Sequence, residues 1–208
     1  MDGRDCSALV IRLFRDGSAT KMKKYTTKKG HHDWWPFEFP RMWFVKKKRI
    51  TLTFTFDVDC IYDWNGDQDQ LDWNKIGGVS FNLFSNTKNS IIGGWRSNPI
   101  TRKIELTIYR HVAGNILKGN DDGEVMMTVD PFDVIELTIW PQLNGRFFCA
   151  QLQHDDQVIM IPVEYPEVKK IGRRIGMWFG GANNSPGEFG GVSSKSMTAW
   201  IKFDLQNR

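Results

Sequence analysis

Ile91-Ile-Gly-Gly-Trp-Arg-Ser-Asn-Pro-Ile-Thr-Arg-Lys-Ile-Glu-Leu-Thr-Ile-Tyr-Arg-His-Val112 reads as two strands joined by a turn at Ser97-Asn98-Pro99. In the second strand Ile104, Leu106, Ile108 and Val112 share one parity, interrupted by Arg110, while Glu105, Thr107, Tyr109 and His111 take the other. Strand side chains alternate between faces, so one face is apolar and the other is polar and aromatic. Such a sheet covers a core with its first face and offers the second to water or to a ligand.

The two-residue period recurs on both sides of this pair. Ile50-Thr-Leu-Thr-Phe-Thr-Phe-Asp-Val58 places Ile50, Leu52, Phe54, Phe56 and Val58 on one face and Thr51, Thr53, Thr55 and Asp57 on the other. Its β-branched and aromatic residues suit a pleated, half-buried surface. Ala8–Phe14, Val79–Phe84, Glu124–Val129, Val134–Trp140, Arg146–Gln153, Gln157–Val163, Arg173–Phe179 and Met197–Leu205 also read as strands. Asp16-Gly17 and Asn144-Gly145 are hairpin turn signals. Asn115 to Gly123 is polar and glycine-rich and reads as a loop. No segment carries a three-turn helical pattern. About a dozen short strands without helical crossovers predict an all-β fold, an antiparallel jelly-roll or concanavalin A-like β-sandwich. Residues 1–40, basic and aromatic, read as an N-terminal extension packed on or leading into the sandwich, with the sandwich domain over 41–208.

The chain has 208 residues and a net charge of +4, and its mean hydropathy is -0.43. Residues 1–49 hold thirteen Lys and Arg against five Asp and Glu, net +8, and residues 50–72 hold six Asp and no Lys or Arg, net -6. A basic leading segment attracts anionic partners, but the whole-chain charge is modest for a nucleic-acid-binding domain, so nucleic acid is not the expected partner. Nine tryptophans exceed what a core of this size needs, which predicts aromatic side chains on a surface. Cys6, Cys60 and Cys149 are odd in number and widely spaced, matching neither a disulfide framework nor a zinc site, and fit a reducing compartment. No apolar run has the length of a membrane span, and the N-terminus lacks the apolar core of a signal peptide. The expectation is a chain made in the cytoplasm.

Two stretches have metal-ligand residues. His31-His32-Asp33 sits in a Trp- and Pro-rich segment, but adjacent residues need a distant third ligand to close on an ion. Asp63-Trp-Asn-Gly-Asp-Gln-Asp69 alternates carboxylates as a calcium loop does. Its glycine falls at the fourth position of the loop, with no glutamate at the twelfth, so an acidic solvated turn is the expectation and Ca2+ the alternative.

Several blocks resemble uncharacterised jelly-roll proteins of crAss-like phages of gut Bacteroidota. They are His32-Asp33-Trp34-Trp35-Pro36, Leu71-Asp72-Trp73-Asn74-Lys75-Ile76-Gly77-Gly78, Asn89-Ser90 with Gly94-Trp95-Arg96, and Ile104-Glu105-Leu106 with Tyr109 and His111. Phe179-Gly180-Gly181, Ser185-Pro186 and Met197-Thr198 extend the similarity over most of the chain after residue 30. The resemblance implies a virion or host-glycan context and supplies no reaction.

The function expected is a non-catalytic binding module, a virion-associated auxiliary capsid or tail protein with lectin-like carbohydrate binding. Its partners would be carbohydrate or other virion proteins, and a homo-oligomer is compatible with it. Sugars need aromatic faces for their C–H surfaces and planar polar groups for their hydroxyls. Trp95, Arg96, Glu105, Tyr109 and His111 on adjacent strands would supply both, with amides from Asn183 and Asn184 in a loop at the sheet's end. The competing placement is structural: Trp95 in the core, Arg96 paired with Glu105, His111 capping a strand edge. The alternative function is a polysaccharide-acting enzyme, a glycoside hydrolase or lyase on the same scaffold. A hydrolase needs two facing carboxylates, of which Asp133 and Glu136 are an incomplete echo. A lyase needs a Tyr or His base with Arg and Gln, to which Tyr109 and Leu152-Gln153-His154 gesture. No nucleophile elbow, phosphate loop or dinucleotide fingerprint is present, and catalysis is not the expectation.

Overall fold

The computed structural model describes residues 22–37, 41–44, 48–65, 68–119, 124–142, 147–166, 168–180 and 192–207. They contain fourteen strands. These are β1 (Lys23–Thr27), β2 (Trp34–Trp35), β3 (Met42–Phe44), β4 (Lys48–Phe56), β5 (Asn74–Ser80), β6 (Ser90–Asn98) and β7 (Lys103–Val112). After them come β8 (Asn115–Lys118), β9 (Met127–Val129), β10 (Ile135–Pro141), β11 (Phe147–His154), β12 (Gln157–Glu164), β13 (Ile171–Ile175) and β14 (Met197–Asn207). The first sheet runs β12-β11-β10-β4-β14-β1-β2 and the second β3-β13-β5-β6-β7-β8, with β9 also paired to β7. Every pairing is antiparallel. The architecture is the expected all-β, two-sheet jelly-roll sandwich. Among the described residues no helix is long and apolar enough to cross a membrane.

The core lies between the inner faces of the two sheets. Ile50, Leu52, Phe54 and Phe56 of β4 meet Ile104, Leu106 and Ile108 of β7, as the alternation predicts, and also Ile91 and Trp95 of β6. Trp95 is fully buried, its ring 4.7 Å from Phe56 and within 6.3 Å of Trp34, Tyr62 and Phe179. A tryptophan buries about 200 Å², so this cluster anchors one end of the core.

Several elements differ from the sequence expectations. The strand expected over Val79–Phe84 is β5, which starts earlier and stops at Ser80. The Ser80 hydroxyl accepts the Asn82 N–H and lies 2.7 Å from the carbonyls of Asn82 and Ser85, and the Asn82 side chain accepts the Phe84 N–H. Such local side-chain bonds compete with the ladder and curl the chain away. The loop expected from Asn115 begins as a strand, β8, because Ala113 and Gly114 both take positive φ and close a two-residue hairpin. Trp34–Trp35 ahead of Pro36 and Met42–Phe44 after Pro40 form β2 and β3, both short edge strands, where a neighbouring proline is tolerated. Within the expected N-terminal extension, β1 pairs along its whole length with β14, and Tyr25 and Trp34 are buried. The strand expected at Ala8–Phe14 lies outside the described residues. Cys60 and Cys149 are buried free thiols.

Candidate ligand-binding groove

The parity that sends Ile104, Leu106 and Ile108 inward sends Thr107, Tyr109 and His111 to the outer face of the second sheet. Backbone register extends this into rows across the strands. Ile116 of β8 stands beside His111, which is beside Ser90 of β6, then Ser80 of β5, then Arg173 of β13. In the adjacent row Lys118, Tyr109, Ile92, Gly78 and Ile175 are neighbours. Ser80, Ser90 and Gly78 therefore keep most of the two central strands low, Ile92 excepted, and larger side chains stand on either side, which hollows out the face. The segment around Asp33–Phe37 and the Met177-Trp178 pair form the walls. The result is a groove of about 630 Å³ lined by Trp73, Lys75, Tyr109, His111, Lys118 and Arg173 among others.

Trp178 is held at the wall by reciprocal backbone bonds with Lys75, at 2.8 and 2.9 Å. Its ring stacks on His32 at 4.9 Å with a 7° interplanar angle. The Lys75 ammonium lies 5.8 Å from the centre of the Tyr109 ring and 3.4 Å from the carbonyl of Gly180. Burial lowers the Lys75 pKa, Asp72 opposes that, and Lys118 adds to it. Tyr109 is pushed above the ordinary phenol value by burial and by the carboxylates of Asp72 and Glu124, so it is a protonated donor at neutral pH. Arg173 has its Nε buried without a hydrogen-bond partner among the described residues.

The tautomer of His111 follows from its neighbour. Ser90 Oγ lies 2.6 Å from the Asn86 carbonyl and 2.9 Å from His111 Nδ1. A carbonyl only accepts, so the single Ser90 proton goes to Asn86 and His111 Nδ1–H donates to Ser90 Oγ. Nε2 then carries the lone pair. Burial and the charge on Lys75 hold His111 below the ordinary histidine value, in its neutral form.

The five expected groove residues within the described chain divide. Tyr109 and His111 line the groove. Trp95 is corrected: it points to the core and offers no ring to a ligand. Arg96 and Glu105 are corrected too. They face each other across the β6–β7 pair and form an ion pair at 2.7 Å, with Arg96 also bonded to the Leu71 carbonyl and Glu105 accepting from Asn98. The Arg96 guanidinium covers the Trp73 ring at 4.4 Å, and Trp73 Nε1 donates to Glu124, so the pair holds the groove's buried floor. Asn183 and Asn184 lie outside the described residues. Lys75, Arg173 and Trp178 were missed: Arg173 and Trp178 stood in the expected strand Arg173–Phe179, whose faces only the sheet pairing reveals, and Lys75 stood ahead of the strand expected from Val79.

The lyase and hydrolase echoes sit elsewhere. Gln153 and His154 lie on β11 in the first sheet, and His154 Nε2 lies 3.3 Å from an Asp133 carboxylate oxygen, while Glu136 accepts from Thr138. Tyr109 is on the second sheet and joins none of them. Among the described residues no group of three or more His, Cys, Asp or Glu could hold a metal. In the acidic loop Asp63 accepts the Asn65 N–H and Asp69 is buried; Gly66 and Asp67 lie outside the described residues.

Fold and face together define an antiparallel jelly-roll sandwich with an open groove on the outer side of one sheet. No family model and no curated protein matches the chain. Among solved structures, it is similar to the exolytic alginate lyase AlyA5 of Zobellia galactanivorans, with a TM-score of 0.58 and 10% identity over 91% of this chain and 85% of that one. It is also similar to the alginate lyase Aly36B, with a TM-score of 0.52 and 8% identity over 91% of this chain and 82% of that one. Likeness at this identity establishes the sandwich.

Proposed function

We propose that this chain is a non-catalytic carbohydrate-binding protein whose groove takes a glycan bearing carboxylates. The observation that carries the reading is the half-buried Arg173, which lines the groove. A guanidinium takes a carboxylate through charge-assisted, often bidentate hydrogen bonds that are stronger than neutral ones. Lys75 and Lys118 add positive charge along the same groove, Tyr109 and Trp178 add ring surface, and the neutral His111 adds an acceptor. Similar scaffolds carry alginate lyases, but the ligand class proposed here rests on these side chains. Turnover is not part of this reading, in which the protonated Tyr109 serves as a hydrogen-bond donor.

Calorimetric titration with a polyuronate and with a neutral glucan tests it. The polyuronate binds and the glucan does not, and Arg173→Ala weakens binding by about 10- to 100-fold. Equal affinity of wild type and variant, or no binding to any polyuronate, overturns it.

A polysaccharide lyase is the second reading, favoured by the lone pair on Nε2 of His111. Its signature is ultraviolet absorbance from an unsaturated sugar end, lost in His111→Asn. The sequence resemblance supports placing the protein on a phage particle, which mass spectrometry of purified particles tests.

A further inference from the structure

We infer that the groove continues around the edge of the sandwich into a second subsite floored by Trp35, so that the ligand is an extended oligosaccharide. The inference rests on the glycan reading above. A second depression of about 430 Å³ is lined by Thr26, Lys28, His31, Asp33, Trp34, Trp35 and Phe37. Asp33, Trp34 and Phe37 also line the first groove, so one chain segment forms the wall between the two. The residues of β2 divide their faces as a strand must: Trp34 is 5% exposed in the core, and Trp35 is 69% exposed. Among the described residues β2 pairs with β1 alone, where Trp35 stands beside Thr26, so the ring lies on the last described strand of the first sheet. A solvent-exposed tryptophan flanked by a hydroxyl, a lysine, a histidine and a carboxylate has what one sugar ring requires: a flat apolar face and polar groups at its rim. Lys28 matches a carboxylate on that sugar, as Arg173 does in the first groove. Phe37, 65% exposed, stands between the two and bridges the path.

Titration with uronate oligomers of increasing length tests this on the intact chain. Affinity of the wild type rises by about two- to tenfold when the oligomer grows long enough to reach past Phe37, the gain expected of one aromatic stacking contact. Trp35→Ala removes that gain and leaves affinity for the short oligomer unchanged, with thermal stability confirming an intact fold. A length dependence that survives in Trp35→Ala overturns the inference while leaving the glycan reading in place. A fall in mass of Trp35→Ala by light scattering, with its length dependence intact, also overturns it and makes Trp35 a contact between copies. No binding of any oligomer by the wild type removes both.

Discussion

His111 shows how one side chain reports on its surroundings. Its Nδ1–H is committed to Ser90, and burial with the Lys75 charge disfavours the imidazolium. Its folded pKa therefore lies below the 6.5 of the unfolded chain. In the window between the two values the unfolded state binds more protons, so stability rises with pH there. This contribution is complete above 6.5 and is lost as pH falls through the folded value. His111→Asn keeps a donor to Ser90 without a titrating ring. Thermal denaturation between about pH 5 and 7 will show a shallower pH dependence in this variant than in wild type. An unchanged slope contradicts the assignment. The residue scale is also where the sequence misled. Arg96 and Glu105 looked like two groups offered to a ligand, yet the turn places Asn98 opposite Lys103 and hence Arg96 opposite Glu105. Opposite charges in direct register pair with each other. Trp95 shares the parity of Ile91 and belongs inside, but Gly93 and Gly94 blur the alternation that would have said so.

Between strands, the central pairing of the second sheet depends on what is missing from Gly78. A Cβ built there would lie 2.1 Å from the carbonyl oxygen of Ile91 on β6, which neither backbone can yield. Gly78→Ala therefore separates β5 from β6 and costs at least about 3 kcal/mol, read from urea denaturation. Gly114→Ala is the control. Its φ is +90° but nothing lies within 4 Å of the added carbon, so only the backbone conformation is penalised, by about 1 kcal/mol. Similar losses for the two variants contradict the argument. The elements were legible wherever the two-residue period ran uninterrupted, as in β4 and β10, or was broken once, as by Arg110 in β7. They were not legible where side chains of Ser80 and Asn82 captured the backbone, or where two prolines hid the edge strands β2 and β3. Periodicity also does not tell which strands are neighbours, and the groove is made by neighbours: Arg173 is far from His111 in sequence and joins its row through Ser80 and Ser90.

The molecule as a whole closes through its N-terminal part. Strand β1 pairs with β14 over five residues, and Trp34 packs its edge on Trp95 at 6.3 Å. A sandwich beginning at residue 41 would lack two strands of the first sheet and this buried ring. Removing residues 1–40 will abolish the cooperative thermal transition of the full chain, whereas a separable extension would leave it in place. Charge, by contrast, was readable at this scale from composition alone but poorly informative. The net +4 excludes little, and the cations that define the groove, Lys75 and Arg173, lie outside the basic leading segment. The central claim is that ligand occupies the outer face of the second sheet. Nuclear magnetic resonance titration with an acidic oligosaccharide measures this directly. The account predicts that the largest shifts fall on Lys75, Tyr109, His111 and Arg173; shifts confined to the outer face of the first sheet, around Gln151, Gln153 and Thr138, would contradict it.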